Sequence, residues 1–511
     1  MNYAHFTKYE KDMKTKRNIP SVMFSQHPDH AGKPYWHTKP LVETRDELHE
    51  CFLMMQDLGA EEVMWDWEGK LVDEAVMERL LSEHLAFFKT HPLGEKVFLT
   101  FRVPNPRVES GYRLGRAFMV ILSAREAAQG AGLPSSPLFE VILPMTETAG
   151  ELLTLHRSFE RFSKAAEYSF GQKANGARPL EVIPLFERVE TIFKSGRILA
   201  DYLAGYEKQF KRLPPYIRPF CARSDPALNS GIVATTLAVK WALSEYAKFS
   251  KQKGVPTFPI IAPGSLPFRG GLTPETADAF LDEFAGVRTF VIQSAFRYDY
   301  PFGVVKKGVR HIIRKAPTTK TAILSEETGR DIERIIPWFE KPYRKAVQEA
   351  APFIQRVAEH IPPRRERMQH IGLFGYSRGV GSLRLPRAIG FTAACYSLGV
   401  PPELFGVGRG IERARKEEQL HTVDALYKTL RPSLIRAGRF LRKEGLVELG
   451  LGYIAKEVAL IEDYLGEQLG PRMKEEKRHV ALSGKIIAAL KKGKPFTKEI
   501  EEAAVLRQAL G

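Results

Sequence analysis

The chain has 511 residues, 44% of them hydrophobic and 27% charged, an ordinary globular composition that excludes a disordered or fibrous protein. No apolar run approaches the roughly 18 residues of a membrane span, so no membrane association is expected. Its 76 Lys and Arg against 60 Asp and Glu give a formal charge of +16, a field that gathers anions, but the excess is dispersed and carries no binding motif, so nucleic acid is not the expected partner.

The first twenty residues are polar and of mixed charge, without the apolar stretch or cleavage site of a secretory signal, which predicts a cytoplasmic protein. Beyond them, short runs rich in Val, Ile and Phe recur at 21–27, 62–67, 96–102, 139–147, 181–187, 215–223, 258–263 and 289–297. Most are followed by a helical pattern. Eight near-continuous apolar strands separated by helices, within about 280 residues, predict an α/β fold: a closed (β/α)8 barrel of the TIM type over residues 1–330. Such barrels place their sites where the strands end. The polar residues there are His27, Asp66, Arg102, Glu147, Glu187, Asp225, Arg269 and Arg297.

After about residue 330 the pattern turns to long amphipathic helices at 330–358, 410–430 and 452–468, a helical region over 331–511 packed on the barrel. One stretch, 372–389, is dense in Gly and Arg. A loop of that composition can meet an anion with backbone and guanidinium donors. Cys51, Cys221 and Cys395 are too far apart for a zinc spacing or a disulfide framework and read as buried thiols.

Glu187 and Asp225 end neighbouring strands and could share magnesium or manganese, which take oxygen ligands and seldom need a full protein cage. Either could instead cap a helix or pair with Arg188 or Arg223. Arg102, Arg223, Arg269 and Arg297 gather at the same end, with Arg378, Arg384 and Arg387 available from the loop. Guanidinium forks match phosphate and carboxylate, so a substrate bearing both groups is implied. His27, fixed by Pro28, could transfer protons, and His30 has weaker grounds. No dinucleotide fingerprint, phosphate loop or HExxH occurs. Gly375-Tyr-Ser-Arg-Gly379 has the spacing of a nucleophile elbow but follows no strand.

In order and spacing, Gln26-His27-Pro28-Asp29, Leu99-Thr-Phe-Arg102, Val141-Ile-Leu-Pro-Met-Thr-Glu-Thr148 with Ile183-Pro-Leu-Phe-Glu187, Ser224-Asp225, Phe268-Arg269-Gly270-Gly271 and Leu385-Pro-Arg-Ala-Ile389 resemble phosphoenolpyruvate carboxylase. The resemblance runs over nearly the whole chain, and the length is similar to that of the short archaeal type. Leu228 stands where the long enzymes carry a lysine, and Ile261 and Pro263 where they carry His-x-Arg, so Arg297 or Arg378 would replace those cations.

The resemblance implies an anaplerotic lyase that joins phosphoenolpyruvate and bicarbonate into oxaloacetate and phosphate, through carboxyphosphate and an enolate. It implies Mg2+, with Mn2+ as substitute, on Glu187 and Asp225, a phosphoryl clamp of Arg269 and Arg378, and His27 as proton acceptor. Arg102 and Arg297 would meet carboxylate or bicarbonate, Arg223, Arg384 and Arg387 would bind substrate, and the chain would form a homotetramer. The alternatives are another magnesium-dependent barrel lyase acting on pyruvate- or oxaloacetate-like acids and, from a different class, a basic nucleic-acid-binding protein.

Overall fold

Eight short parallel strands pair in chain order and close on themselves: β1 (Val22–Phe24), β2 (Glu62–Asp66), β3 (Phe98–Arg102), β4 (Glu140–Leu143), β5 (Glu181–Phe186), β6 (Phe220–Ala222), β7 (Ile260–Ala262) and β8 (Thr289–Ile292). The last strand returns to the first with Val22 opposite Phe290 and Met23 opposite Val291. The structure is a computed structural model that describes residues 18–67, 72–109, 111–133, 136–171, 179–366 and 385–511. The expected TIM-type barrel is therefore present, with every strand inside one of the eight apolar runs.

Alternation along each strand divides the core in two. Met23, Met64, Ile142, Ile183, Leu185, Phe220, Ile260 and Val291 fill the barrel interior. Their neighbours, among them Phe24, Val63, Trp65, Val141, Phe186 and Phe290, face the surrounding helices. Each such side chain contributes about 1.5–3 kcal/mol by leaving water. The N-terminal end of the interior is plugged by Arg218, which donates to Glu62, Glu140 and Thr289, the first residues of β2, β4 and β8.

Several strands are shorter than the apolar runs that contain them. Pro144 follows the last residue of β4, Pro219 precedes β6, and Pro259 and Pro263 bracket β7, positions where a missing N–H interrupts the ladder. The end of the last run is not strand at all: Ser294–Tyr298 is a short helix. Its Ala295 N–H is taken at 2.7 Å by the Asp29 carboxylate, a cap supplied from the β1 loop.

In the helical region, Glu326–Ala358 is one helix of 33 residues, and Tyr343 on it donates to the Leu228 carbonyl beside the barrel at 2.8 Å. The expected helix at 410–430 is instead two, Val407–Lys416 and Leu420–Leu426. Glu418 takes a left-handed φ of 56° and Gln419 N–H reaches back to the Ala414 carbonyl, which closes the first helix. The helix at 452–468 ends at Leu465, where Gly466 is left-handed. Beyond Ala358 the chain bonds to the segment after β1: Val42 N–H donates to the Arg364 carbonyl and Glu366 N–H to the Val42 carbonyl. That pairing carries Arg364 and Arg365 onto the barrel's C-terminal end.

Candidate active site

A cavity of about 800 Å3 opens at the C-terminal ends of the strands, and its wall includes His27, Arg102, Glu187, Asp225, Arg269 and Arg387. Each is there for a local reason. His27 follows β1, and its Nδ1 lies 2.8 Å from Ser25 Oγ, which fixes the ring's orientation. Arg102 is the last residue of β3 and grips Asp66, the last of β2, through two bonds of 2.9 and 2.8 Å, so it meets the cavity already held by a carboxylate. Glu187 directly follows β5, and its Oε2 accepts Met145 N–H from the β4 turn at 2.7 Å. Asp225 occupies the first turn of the helix Ser224–Ser230, where backbone N–H groups favour a negative charge.

Arg269 is held more completely than any of these. Its Nε donates to Ser224 Oγ at 3.1 Å, Nη1 to Asp29 at 3.0 Å and to the Gly511 carbonyl at 2.6 Å, and Nη2 to Gln293. Four of its five N–H donors are thus committed. Burial lowers its pKa from the ordinary guanidinium range, against the raising effect of Asp29 and then Asp225. Also in the wall, Arg387 precedes the helix Ala388–Ser397, whose first residues line the cavity. Their N–H groups and the helix dipole make that wall favourable to an anion.

A family model described as phosphoenolpyruvate carboxylase matches residues 19–511. The chain belongs to the phosphoenolpyruvate carboxylase family. A phosphoenolpyruvate carboxylase of Leuconostoc mesenteroides is 36% identical over 506 residues, covering 97% of this chain and 100% of its own. Those of Metallosphaera sedula and Pyrococcus horikoshii are each 38% identical, over 97% and 86% of this chain and 100% and 92% of theirs. The solved malate synthase of Haloferax volcanii covers 68% of this chain and 94% of its own at 12% identity, with a TM-score of 0.36. That likeness is too slight to add to what the closed barrel already shows.

Two of the arginines expected in the carboxylase site direct their head groups to structural partners. Arg297 lies on the helix Ser294–Tyr298, outside the cavity wall, and donates to the Ser25 and Ile292 carbonyls and to Glu50. It is a buried structural tie, because Glu50 and two carbonyls take its Nη donors. Arg223 forms part of the wall, but its guanidinium lies over the Phe284 ring and donates to Thr236 on the helix Ile232–Lys253. Its head group is thereby packed behind the strands rather than offered to substrate. Arg378 and Arg384 lie outside the described residues. His30 bonds Ser294 Oγ and the Pro40 carbonyl, and burial lowers its pKa to about 3, so it stays neutral.

The sequence reading missed Asp29, Gln293, Arg364 and Arg365. Asp29 joins three loops: it pairs with Arg269, caps Ala295 and accepts from Ser294 Oγ. Arg365 bonds Glu47 and Glu50, and the latter also receives Arg297, so the cavity's rim is tied to the wall below it. A signal was present in Pro362-Pro363-Arg364-Arg365, a helix stop followed by paired cations. All three cysteines are buried, as expected.

Among the described residues no group of three or more His, Cys, Asp or Glu could hold a metal. The donor set the cavity does offer, two carboxylates that follow the adjacent strands β5 and β6, suits a hard cation that completes its shell with water and substrate oxygens. It does not suit zinc, which takes nitrogen and sulfur ligands in a closed tetrahedron when structural.

Proposed function

We propose that this cavity joins phosphoenolpyruvate and bicarbonate to give oxaloacetate and inorganic phosphate, with Mg2+, or Mn2+ in its place, held by Glu187 and Asp225. The observation that supports this most directly is the convergence of two carboxylates, an oriented histidine and a buried guanidinium in one cavity. A bound Mg2+ would supply Lewis-acid stabilisation to the enolate oxygen. Arg269, with one N–H uncommitted, orients the phosphoryl group rather than gripping it in a fork; Arg387 and the helix N-terminus beside it neutralise charge from the cavity wall. Arg378 is the second phosphoryl contact in this reading. His27, steered by Ser25, takes the carboxyl proton of carboxyphosphate and so hastens loss of carbon dioxide.

A malate-dehydrogenase-coupled assay on the full chain, omitting phosphoenolpyruvate, bicarbonate and metal in turn, tests the reading. Oxaloacetate formation should require all three. Turnover without bicarbonate or without phosphate release would point instead to a lyase of pyruvate- or oxaloacetate-like acids. His27→Asn should leave the KM for phosphoenolpyruvate near wild type while kcat for oxaloacetate falls about 100-fold or more; an unchanged kcat would remove His27 from the mechanism.

Among the described residues no helix is long and apolar enough to cross a membrane, and we place the enzyme in the cytoplasm, which cell fractionation checks. By family resemblance we also propose a homotetramer, and light scattering should return four times the 57.7 kDa chain mass.

A further inference from the structure

Met145 has a left-handed backbone, with φ of 51°, a conformation that residues other than glycine rarely adopt. An extended chain points successive N–H groups to opposite sides. At Met145 the left-handed turn lets two successive N–H groups serve the same neighbouring strand: Met145 N–H donates to Glu187 Oε2 at 2.7 Å, and Thr146 N–H to the Leu185 carbonyl at 3.0 Å. An outlier of this kind persists only where its surroundings over-determine it.

The surroundings do so here. Thr146 Oγ1 donates back to the Leu143 carbonyl at 2.9 Å. From the β3 loop, Asn105 Nδ2 donates to the Pro144 carbonyl at 2.8 Å, and Arg107 Nη2 donates to the Met145 carbonyl at 2.9 Å. Asn105 is itself fixed: it is buried, its Oδ1 accepts Arg107 N–H, and its carbonyl accepts the N–H groups of Val108 and Glu109. The result is a relay from the β3 loop through the β4 turn to the carboxylate that follows β5.

We propose that the turn Pro144-Met145-Thr146 is a backbone clamp that sets the orientation of Glu187, and that Asn105 and Arg107 are positioning residues that hold the clamp in its left-handed form. The inference rests on the proposed role of Glu187 in holding the metal. Without the two braces the turn relaxes toward ordinary backbone, Met145 N–H leaves Glu187, and the carboxylate rotates away from the direction the metal requires. Partners of this second layer typically change metal affinity 10- to 100-fold.

The experiment is a titration of the full-length protein with Mn2+, following the electron paramagnetic resonance signal of the free ion, alongside kcat and the KM for phosphoenolpyruvate. Asn105→Ala should raise the Mn2+ dissociation constant about tenfold. Arg107→Ala, at an exposed position where folding is safe, should raise it about threefold. Both should lower kcat at subsaturating metal and recover it as Mn2+ is raised, a rescue that general loss of structure would not give. Met145→Ala keeps the N–H and should bind Mn2+ as wild type does; a tenfold loss there would assign the effect to the side chain and overturn the clamp. Glu187→Gln separates the two layers of the argument. If it binds Mn2+ like wild type, the metal reading fails and the clamp with it. If it binds weakly while Asn105→Ala and Arg107→Ala stay within twofold of wild type, the clamp alone is refuted.

Discussion

At the N-terminal end of the barrel one guanidinium, Arg218, meets two carboxylates, with Glu62 at 3.0 and 2.6 Å and Glu140 at 2.7 Å. At the C-terminal end Arg269 meets one side-chain carboxylate, Asp29 at 3.0 Å, and its other side-chain acceptors, Ser224 and Gln293, are neutral. Burial acts to lower both guanidiniums; at Arg218 the two glutamates more than offset it, whereas at Arg269 burial prevails over Asp29 and Asp225. One guanidinium is matched to two glutamates in the barrel floor, and the other borders the cavity with one N–H left for an anionic group. Position in the barrel and access to the cavity therefore identify the same end as functional.

The contrast breaks most visibly at the N-terminal end. Arg218→Ala would leave Glu62 and Glu140 buried without their cation, and losing one partner of a buried pair destabilises by about 3–5 kcal/mol. Urea unfolding should show a loss of that size, while kcat per folded molecule stays at the wild-type value. A loss under about 1 kcal/mol would mean that water enters the barrel floor and that the plug formed by Arg218 is not tight.

At the functional end the comparable change acts on rate. A Cβ built on Gly264 comes within 2.8 Å of both Cζ and Nη1 of Arg269, so Gly264→Ala must displace the guanidinium, the movable end of a flexible side chain. Misplacement of about 1 Å can lower the rate on the order of 100-fold, equivalent to about 2.7 kcal/mol in the barrier. The unfolding free energy should change by less than that. Wild-type kcat in Gly264→Ala would show that Arg269 acts from more than one position, against the four bonds that hold it.

The barrel was legible because strands buried on both faces are near-continuous apolar runs, and eight of them alternate with helical patterns. The strand ends were less so: Ser294–Tyr298 has the composition of a strand but becomes a helix because a carboxylate from Asp29 caps it. The same distance in sequence explains the site. His27, Arg102, Glu187, Asp225 and Arg269 reach one cavity because each ends or follows a strand, which periodicity reveals. Arg297 and Arg223 satisfy the same criterion, yet their head groups go to Glu50 and to Thr236 and Phe284, partners that local pattern does not announce. Asp29 directly follows His27-Pro28, but its importance depends on residues 269, 294 and 295, and the break at Glu418 depends on one left-handed residue in an otherwise helical run.

The smallest expected effect lies just behind Arg269 and sharpens the comparison through pH. Glu403 is fully buried, and its Oε1 accepts Phe268 N–H and Tyr396 Oη–H, each at 2.7 Å. Unlike Glu62 and Glu140 it has only neutral donors at bonding distance, with Arg436 acting from farther away, and burial pushes its pKa up from 4.5 to about 7. Between those values the folded protein keeps a proton that the unfolded chain has released, so this contribution is fully present below about pH 4.5 and is lost as pH rises through 7. Glu403→Gln carries no such proton. Relative to wild type it should gain stability as pH is raised, on the order of 2 kcal/mol between pH 5 and pH 8, since each tenfold difference in proton affinity is worth about 1.4 kcal/mol. Urea midpoints of both proteins at the two pH values read this directly. Parallel pH profiles would show that Glu403 is neutralised by a charge as Glu62 is, and the distinction between the two ends would then have to rest on Arg269 alone.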